Sequence, residues 1–327
     1  MFGIWDLGLG IWDLTMSISS EPPFSSIAIV GLGLIGGSIA LGVRERWPSS
    51  RVVGVDTAAV VAHALGSGAI DRAVDNIAAL PDASLIVLAA PVRQNIELLQ
   101  QLARRNAVGR VLSDPPGRQI IVTDVGGTKR DIVKAARDLP PSTTFVGGHP
   151  LGGGERGGFA FARPDLFAGR PWIFTPDGDG SSDAVERLSR LVGGLGARPL
   201  IVSAEEHDRL MAFVSHLPQL TASALMDTVG SAAGGDGLRM AGRGLVDTTR
   251  LASSPADVWR DICLTNADAI GDALDCLIQR LTQMRADLQR GEAIEAIFTA
   301  AAKWRSELLK EPDKAQIPNP KSQITKS

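Results

Sequence analysis

Short apolar runs alternate with longer segments of helical period through the first two thirds of this chain, and the runs stop near Ser203. They occupy residues 27–30, 52–55, 85–89, 120–123 and 144–146, with helical stretches at 57–65, 92–105 and 129–138 between them. Short, fully apolar strands separated by helices predict a parallel sheet covered on both faces. Two further runs, 172–175 and 199–202, flank a helix at 182–195 and are expected to extend the same sheet. After Ser203 apolar residues recur only at helical spacing, as in Leu210, Phe213, Val214 and Leu217, and again in Leu274, Leu277, Ile278 and Leu281. This predicts an all-α region, interrupted by the glycine-rich segment 230–244. The expected division is a tail over 1–24, an α/β domain over 25–203, a helical domain over 204–310 and a second tail over 311–327.

The first apolar run leads into Gly31-Leu32-Gly33-Leu34-Ile35-Gly36, and a helix-compatible segment follows. Strand, glycine turn and helix in that order suit a dinucleotide pyrophosphate. Gly31 permits the tight turn, Gly33 lets the backbone approach phosphate, and Gly36 lets helix pack on strand. The first helical turn, with Leu34 and Ile35, presents free N–H groups to the anion. The second run ends in Asp56, 25 residues after Gly31. A carboxylate there accepts from both ribose hydroxyls and repels a 2′-phosphate, which favours NAD over NADP. The α/β region therefore reads as a doubly wound, Rossmann-type parallel sheet.

Composition narrows the partners. The chain has 327 residues, enough for about two domains. Its net charge of −3 gives no electrostatic reason to expect nucleic acid or an anionic membrane surface. Cys263 and Cys276 are too few for a disulfide framework and read as buried free thiols in a reducing cytoplasm. No CxxC pair or His/Cys cluster points to a metal. The segment 1–24 repeats GIWDL, carries Asp6 and Asp13 and lacks a basic start, so it reads as an appended tail and not as a membrane span or a secretory signal. A helical domain with more than one apolar face suggests a homodimer.

Ligands in open α/β sheets sit at the carboxyl ends of the strands. Three segments fall there. Ala89-Ala90-Pro91 would lie along the cofactor, Asp124 to Lys129 follows the next strand, and His149 to Glu155 follows the last. His149 is one of four histidines and is expected in a glycine-rich loop where a nicotinamide ring would arrive. A neutral imidazole suits removal of a hydroxyl proton while hydride leaves carbon. In the helical region, Ser215-His216-Leu217-Pro218 carries a second histidine and a helix-breaking proline. Arg250 follows Asp247-Thr248-Thr249. Its spacing fits equally a solvated side chain and a bidentate clamp on a substrate carboxylate.

These segments together resemble the prephenate/arogenate dehydrogenases of tyrosine biosynthesis. The matching stretches are GLGLIGGS (31–38), TDVGGTK (123–129), HPLGGGE (149–155), HDRLMAFVSHLPQ (207–219), GRGLVDTTRLA (242–252) and PADVWRDI (255–262). The resemblance implies NAD-dependent oxidative decarboxylation of prephenate, with a cleft between the two domains and dimerisation through the helical one. It assigns the proton acceptor to His149 and the carboxylate grip to Arg250. Glu155 and Asp247 fall at the pocket entrance and His216 near the substrate. By their place at strand ends, and not from the resemblance, Ala90, Pro91 and Asp124 are expected along the cofactor. Gly127 stands where the family often has serine, and the adjacent Thr128 is the nearest hydroxyl that could reach the substrate. Arogenate is the alternative substrate, and a non-catalytic NAD-binding sensor is the alternative of a different class. A general hydroxyacid dehydrogenase is disfavoured, because no lysine occurs between Ser203 and Lys303.

Overall fold

A computed structural model describes residues 21–81, 83–107, 119–154, 156–178 and 181–310. Glu155 and the tail 311–327 lie outside the described residues, as does most of the expected N-terminal tail. Phe24, inside that stretch, is a core residue. It is 1% exposed, its carbonyl accepts from Ser50 Oγ, and the Arg187 guanidinium lies over its ring.

Eight strands form one sheet: β1 (Ser26–Val30), β2 (Arg51–Val55), β3 (Arg72–Ala73), β4 (Leu85–Leu88), β5 (Ile120–Asp124), β6 (Thr143–Pro150), β7 (Pro171–Pro176) and β8 (Arg198–Ile201). Their order is β3-β2-β1-β4-β5-β6-β7-β8. The order reverses between β1 and β4, so the crevice expected to take a ligand opens at the carboxyl ends of those neighbours. Alternate side chains of β1 enter two separate cores. Ile27 and Ile29 join Phe24, Val43, Leu188 and Phe174, while Ala28 and Val30 join Ile86, Leu99 and Val122. Both faces are therefore dry, which is why these strands read as continuous apolar runs.

Helices α1 (Leu34–Arg46), α2 (Ala58–Gly66), α3 (Val92–Ala107), α4 (Arg130–Ala136) and α5 (Ser182–Gly194) connect the strands. Two features depart from the sequence reading. The two-residue edge strand β3 is too short to leave a pattern. β7 runs antiparallel to β6, whereas every other neighbour pair is parallel.

Helix α6 (Ala204–Met211) begins directly after β8, capped by Ser203 Oγ accepting from Glu206 N–H. A π-helical turn (Ala212–His216) leads into α7 (Leu217–Leu238). Pro218 was expected to break the helix. It sits instead in the first turn of α7, where a missing N–H costs little. The helical path also continues into the glycine-rich segment as far as Leu238, bent at Gly234, whose φ is 60°. Helices α8 (Arg243–Thr248), α9 (Ala256–Thr265), α10 (Ala267–Ala286) and α11 (Glu292–Leu308) follow within the described residues.

The chain divides into two compact units, Met1–Gly271 and Asp272–Ser327. In the second, Asp287 Oδ2 accepts from Ala293 N–H and Ile294 N–H and so caps α11. Phe298, Trp304 and Leu308 on that helix are exposed. The two cysteines are free, as expected, but lie on different helices and are not buried. Cys263 is half-buried on α9 and Cys276 exposed on α10. Among the described residues no helix is long and apolar enough to cross a membrane.

Candidate active site

The glycine turn closes the switch point from one side. Gly31 has φ +95°, and a Cβ there would stand 2.6 Å from the Ala89 carbonyl oxygen of the neighbouring strand end. A Cβ on Gly36 would collide with the Gly31 carbonyl. Gly33 faces open space within 4 Å, leaving room for a phosphate against the first turn of α1, which begins at Leu34 and Ile35. Asp56 is half-buried; its Oδ2 accepts from Leu32 N–H at 2.6 Å and its Oδ1 from Thr57 N–H. The carboxylate thus sits at the rim of the turn, where an adenosine ribose would lie. On the β4 side, buried Asn95 holds the Ala90-Pro91 turn. Its Oδ1 accepts from Ala90 N–H, and its Nδ2 donates to the Leu88 and Ala90 carbonyls. The residues present fit a dinucleotide.

His149 lies within β6 and not in a loop beyond it. The sequence reading ended the strand at Val146 because Gly147, Gly148 and Pro150 carry no strand pattern. Pairing with antiparallel β7 extends it, with His149 opposite Ile173. The imidazole is half-buried. Its Nδ1 lies 2.8 Å from Nε2 of His207 on α6, and His207 Nδ1 lies 2.8 Å from Asp208 Oδ1. A Cβ on Gly127 would stand 4.0 Å from His149 Nε2, so that nitrogen faces a position without a side chain. Ile262 of α9 borders the same space.

Asp208 is buried and accepts throughout. Lys129 N–H donates to Oδ1 at 2.7 Å, and Arg130 N–H and Nε donate to Oδ2 at 2.9 and 3.3 Å. Burial alone would raise its carboxyl, but the bond from His207 and those from the Arg130 and Lys129 amides hold it below the ordinary range. His149 is held well below an ordinary histidine, first by burial and then by the charges of His207, Lys129 and His216. His207 is lowered by burial, offset in part by its bond to Asp208.

Beneath the histidines lies an ion pair with both partners fully buried. Lys129 Nζ donates to Asp124 Oδ2 at 2.5 Å. Asp124 also accepts from Gly126 N–H and, through Oδ1, from Gly148 N–H, so it ties β5 to the strand carrying His149. Expected along the cofactor, Asp124 instead has both oxygens engaged by protein. Thr128 is 1% exposed, and its hydroxyl meets Thr265 Oγ1 at 2.8 Å, across to the end of α9.

On the helical side, His216 is buried and packs edge-on against Trp259, with ring centroids 6.0 Å apart. Burial pushes its imidazole down to about 4. Asn266 Nδ2 lies 3.3 Å from His216 Nδ1 and donates to the Asp208 carbonyl at 2.8 Å, linking both histidine segments. The π turn, an uncommon form often found at functional sites, ends on His216. One turn on, Gln219 Nε2 donates to the Leu251 carbonyl at 2.7 Å and its Oε1 accepts from Ser254 Oγ. That pins the short 3₁₀ turn Arg250–Ser253 to α7. Arg250 and Asp247 are both exposed, and among the described residues the Arg250 guanidinium has no hydrogen-bond or ion-pair partner.

The structure therefore joins His149 and His216 in one polar network and leaves Arg250 standing free on a braced turn. Sequence reasoning missed His207, Asp208, Lys129, Asn95, Asn266 and Gln219. A signal existed for the first two, since a histidine followed by an acid opens the helix right after the last strand.

Comparison with known proteins finds matches over most of the chain. Residues 39–201 match the model of the prephenate dehydrogenase nucleotide-binding domain, and residues 203–299 that of the prephenate dehydrogenase dimerization domain. A prephenate dehydrogenase of Bacillus subtilis is 36% identical over 82% of this chain and 71% of its own length. A crystal structure of prephenate dehydrogenase from A. aeolicus, in complex with hydroxyphenyl propionate and NAD+, aligns with a TM-score of 0.77 and 29% identity. That alignment covers 87% of this chain and 98% of the other. A Synechocystis arogenate dehydrogenase aligns with a TM-score of 0.70 and 26% identity, covering 86% and 99%.

Proposed function

The chain belongs to the prephenate dehydrogenase family, and from that premise we propose that it converts prephenate to 4-hydroxyphenylpyruvate by NAD-dependent oxidative decarboxylation in tyrosine biosynthesis. The observation that carries this reading is Nε2 of His149, which among the described residues has no hydrogen-bond partner and faces Gly127 of the β5–α4 loop. Bound NAD supplies the acceptor for the hydride leaving the hydroxyl-bearing ring carbon, and departure of the ring carboxylate as carbon dioxide restores aromaticity.

The residues divide the remaining work. His149 Nε2 takes the proton of the ring hydroxyl. Its depressed basicity keeps it neutral, and so competent, at neutral pH. Arg250, whose guanidinium has no partner among the described residues, takes a substrate carboxylate, with Asp247 at the entrance. His216 backs the substrate side from its buried place between Trp259 and Asn266, and Thr128 holds the adjoining loop against α9 through Thr265. Gly31, Gly33, Leu34, Ile35 and Gly36 would hold the pyrophosphate, Asp56 would accept from the ribose hydroxyls, and Ala90 and Pro91 would contact the nicotinamide half. Asp124 acts from below by fixing Gly126 and Gly148.

We further propose a cytoplasmic homodimer that acts on a small molecule, with the α/β part, 25–203, binding cofactor and the helical part, 204–310, completing the substrate side and pairing with its copy. The exposed apolar side chains of α11 support the pairing. The test is NADH absorbance with prephenate or arogenate, each with NAD or NADP. The expected result is NADH from prephenate and NAD. No reduced cofactor with either substrate would leave the sensor reading standing.

A further inference from the structure

We propose that His207, backed by Asp208, is the positioning residue that fixes which nitrogen of His149 carries hydrogen and stabilises the charge His149 gains. The inference rests on the reading of His149 as proton acceptor.

The bonding forces the assignment. Asp208 is surrounded by donors: the Lys129 and Arg130 amides, Arg130 Nε and His207 Nδ1. An ionised carboxylate only accepts, so His207 Nδ1 carries hydrogen. In neutral His207 the other nitrogen, Nε2, is then a lone pair. It lies 2.8 Å from His149 Nδ1, so that nitrogen must be the donor. His149 Nε2 is left as a lone pair on the side facing Gly127. A free imidazole exchanges its proton between both nitrogens; this chain removes that freedom.

The same chain serves the step itself. The substrate O–H bond breaks as Nε2–H forms, and the O–H electron pair becomes the new C=O bond as hydride leaves carbon. The positive charge on His149 is then shared through the Nδ1–H bond with His207, next to the Asp208 carboxylate. This charge chain also faces Lys129, paired with Asp124, and His216, held through Asn266. A buried ammonium beside the imidazoles opposes their protonation, so a negative partner at the far end is needed once the proton arrives.

The experiment compares His207→Leu, which cannot accept from His149, with His207→Gln, whose carbonyl oxygen can. In His207→Leu kcat is expected to fall about 10²–10³-fold, with KM and NAD affinity within about threefold of the parent, by analogy with wrong-tautomer losses of about 10⁴ in a serine-protease triad. The loss should persist to high pH, because raising pH restores a shifted base and not a misplaced hydrogen. His207→Gln should recover at least tenfold of the loss. Nitrogen-15 NMR of the parent should find hydrogen on Nδ1 of neutral His149. A parent-like kcat in His207→Leu, full recovery of that variant at high pH, no advantage of Gln over Leu, or hydrogen on Nε2 would each overturn the proposal. His149→Asn separates the two readings. If that variant keeps its rate, the acceptor role fails; if only the His207 variants do, this inference alone fails.

Discussion

The surroundings of His149 and those of Arg250 differ in how completely the protein satisfies its own polar groups. Around His149, the side chains of Asp124, Lys129, His207, Asp208 and Asn266 are buried and engaged with one another or with backbone. Around Arg250, helix α8 and the following turn contain no buried residue, and among the described residues the exposed guanidinium has no partner. The difference fits the two tasks proposed for these residues. Taking a proton needs an imidazole held in one orientation and one tautomer before substrate arrives, and a dry network supplies that without reorganisation. Recognising a carboxylate needs a cation that can leave water for a better partner, and a buried, pre-paired arginine could not do so. The arginine side is therefore rigid only in its backbone, through Gln219 and Ser254.

Four changes would break or sharpen that contrast. The largest effect is expected at the base. His149→Asn should lower kcat by about 10³–10⁴-fold, at the upper end for a general base, and leave NAD affinity within about twofold by calorimetry. The next acts on stability. Asp124→Ala leaves the Lys129 ammonium buried without its counter-charge, and thermal or urea unfolding should register a loss of about 3–5 kcal/mol. The third is acid. Histidines whose folded values lie below 6.5 bind protons more readily when unfolded, so their contribution to stability is full above about pH 6.5 and is lost as pH falls. His216 alone, lowered to about 4, should account for roughly 3 kcal/mol between those limits. A urea midpoint that stays level from pH 7 to 5 would contradict the burial of these rings. The smallest is at the clamp. Arg250→Ala should raise KM for prephenate about 10–100-fold, the worth of one charged hydrogen-bonding pair, with kcat and unfolding midpoint nearly unchanged.

The sheet was legible because its strands are buried on both faces and so carry unbroken apolar runs, and the cofactor turn because glycine at 31 and 36 is demanded by contacts within a few ångströms. What escaped was long-range. His149 looked like a loop residue because its partner, Ile173 on β7, is 24 positions away and runs the other way. Asp124 looked like a ligand-facing residue because sequence order cannot reveal that Lys129 turns back onto it. For His207 and Asp208 the residue types are visible in the sequence but not their partners, which lie on β6 and at the start of α4, 58 and 79 positions away. The helical half was legible as helices, yet not as a π turn followed by a tolerated proline, because both depend on backbone hydrogen bonding that side-chain periodicity does not encode.

The placement of His149 inside β6 constrains how the enzyme can move during turnover. That strand is laced to β5 on one side and to β7 on the other. Any opening and closing around substrate would then fall to segments outside the sheet, while His149 stays fixed to it as an anvil. Amide hydrogen exchange should accordingly be among the slowest in the chain along β6, and unchanged there whether or not a substrate analogue is bound.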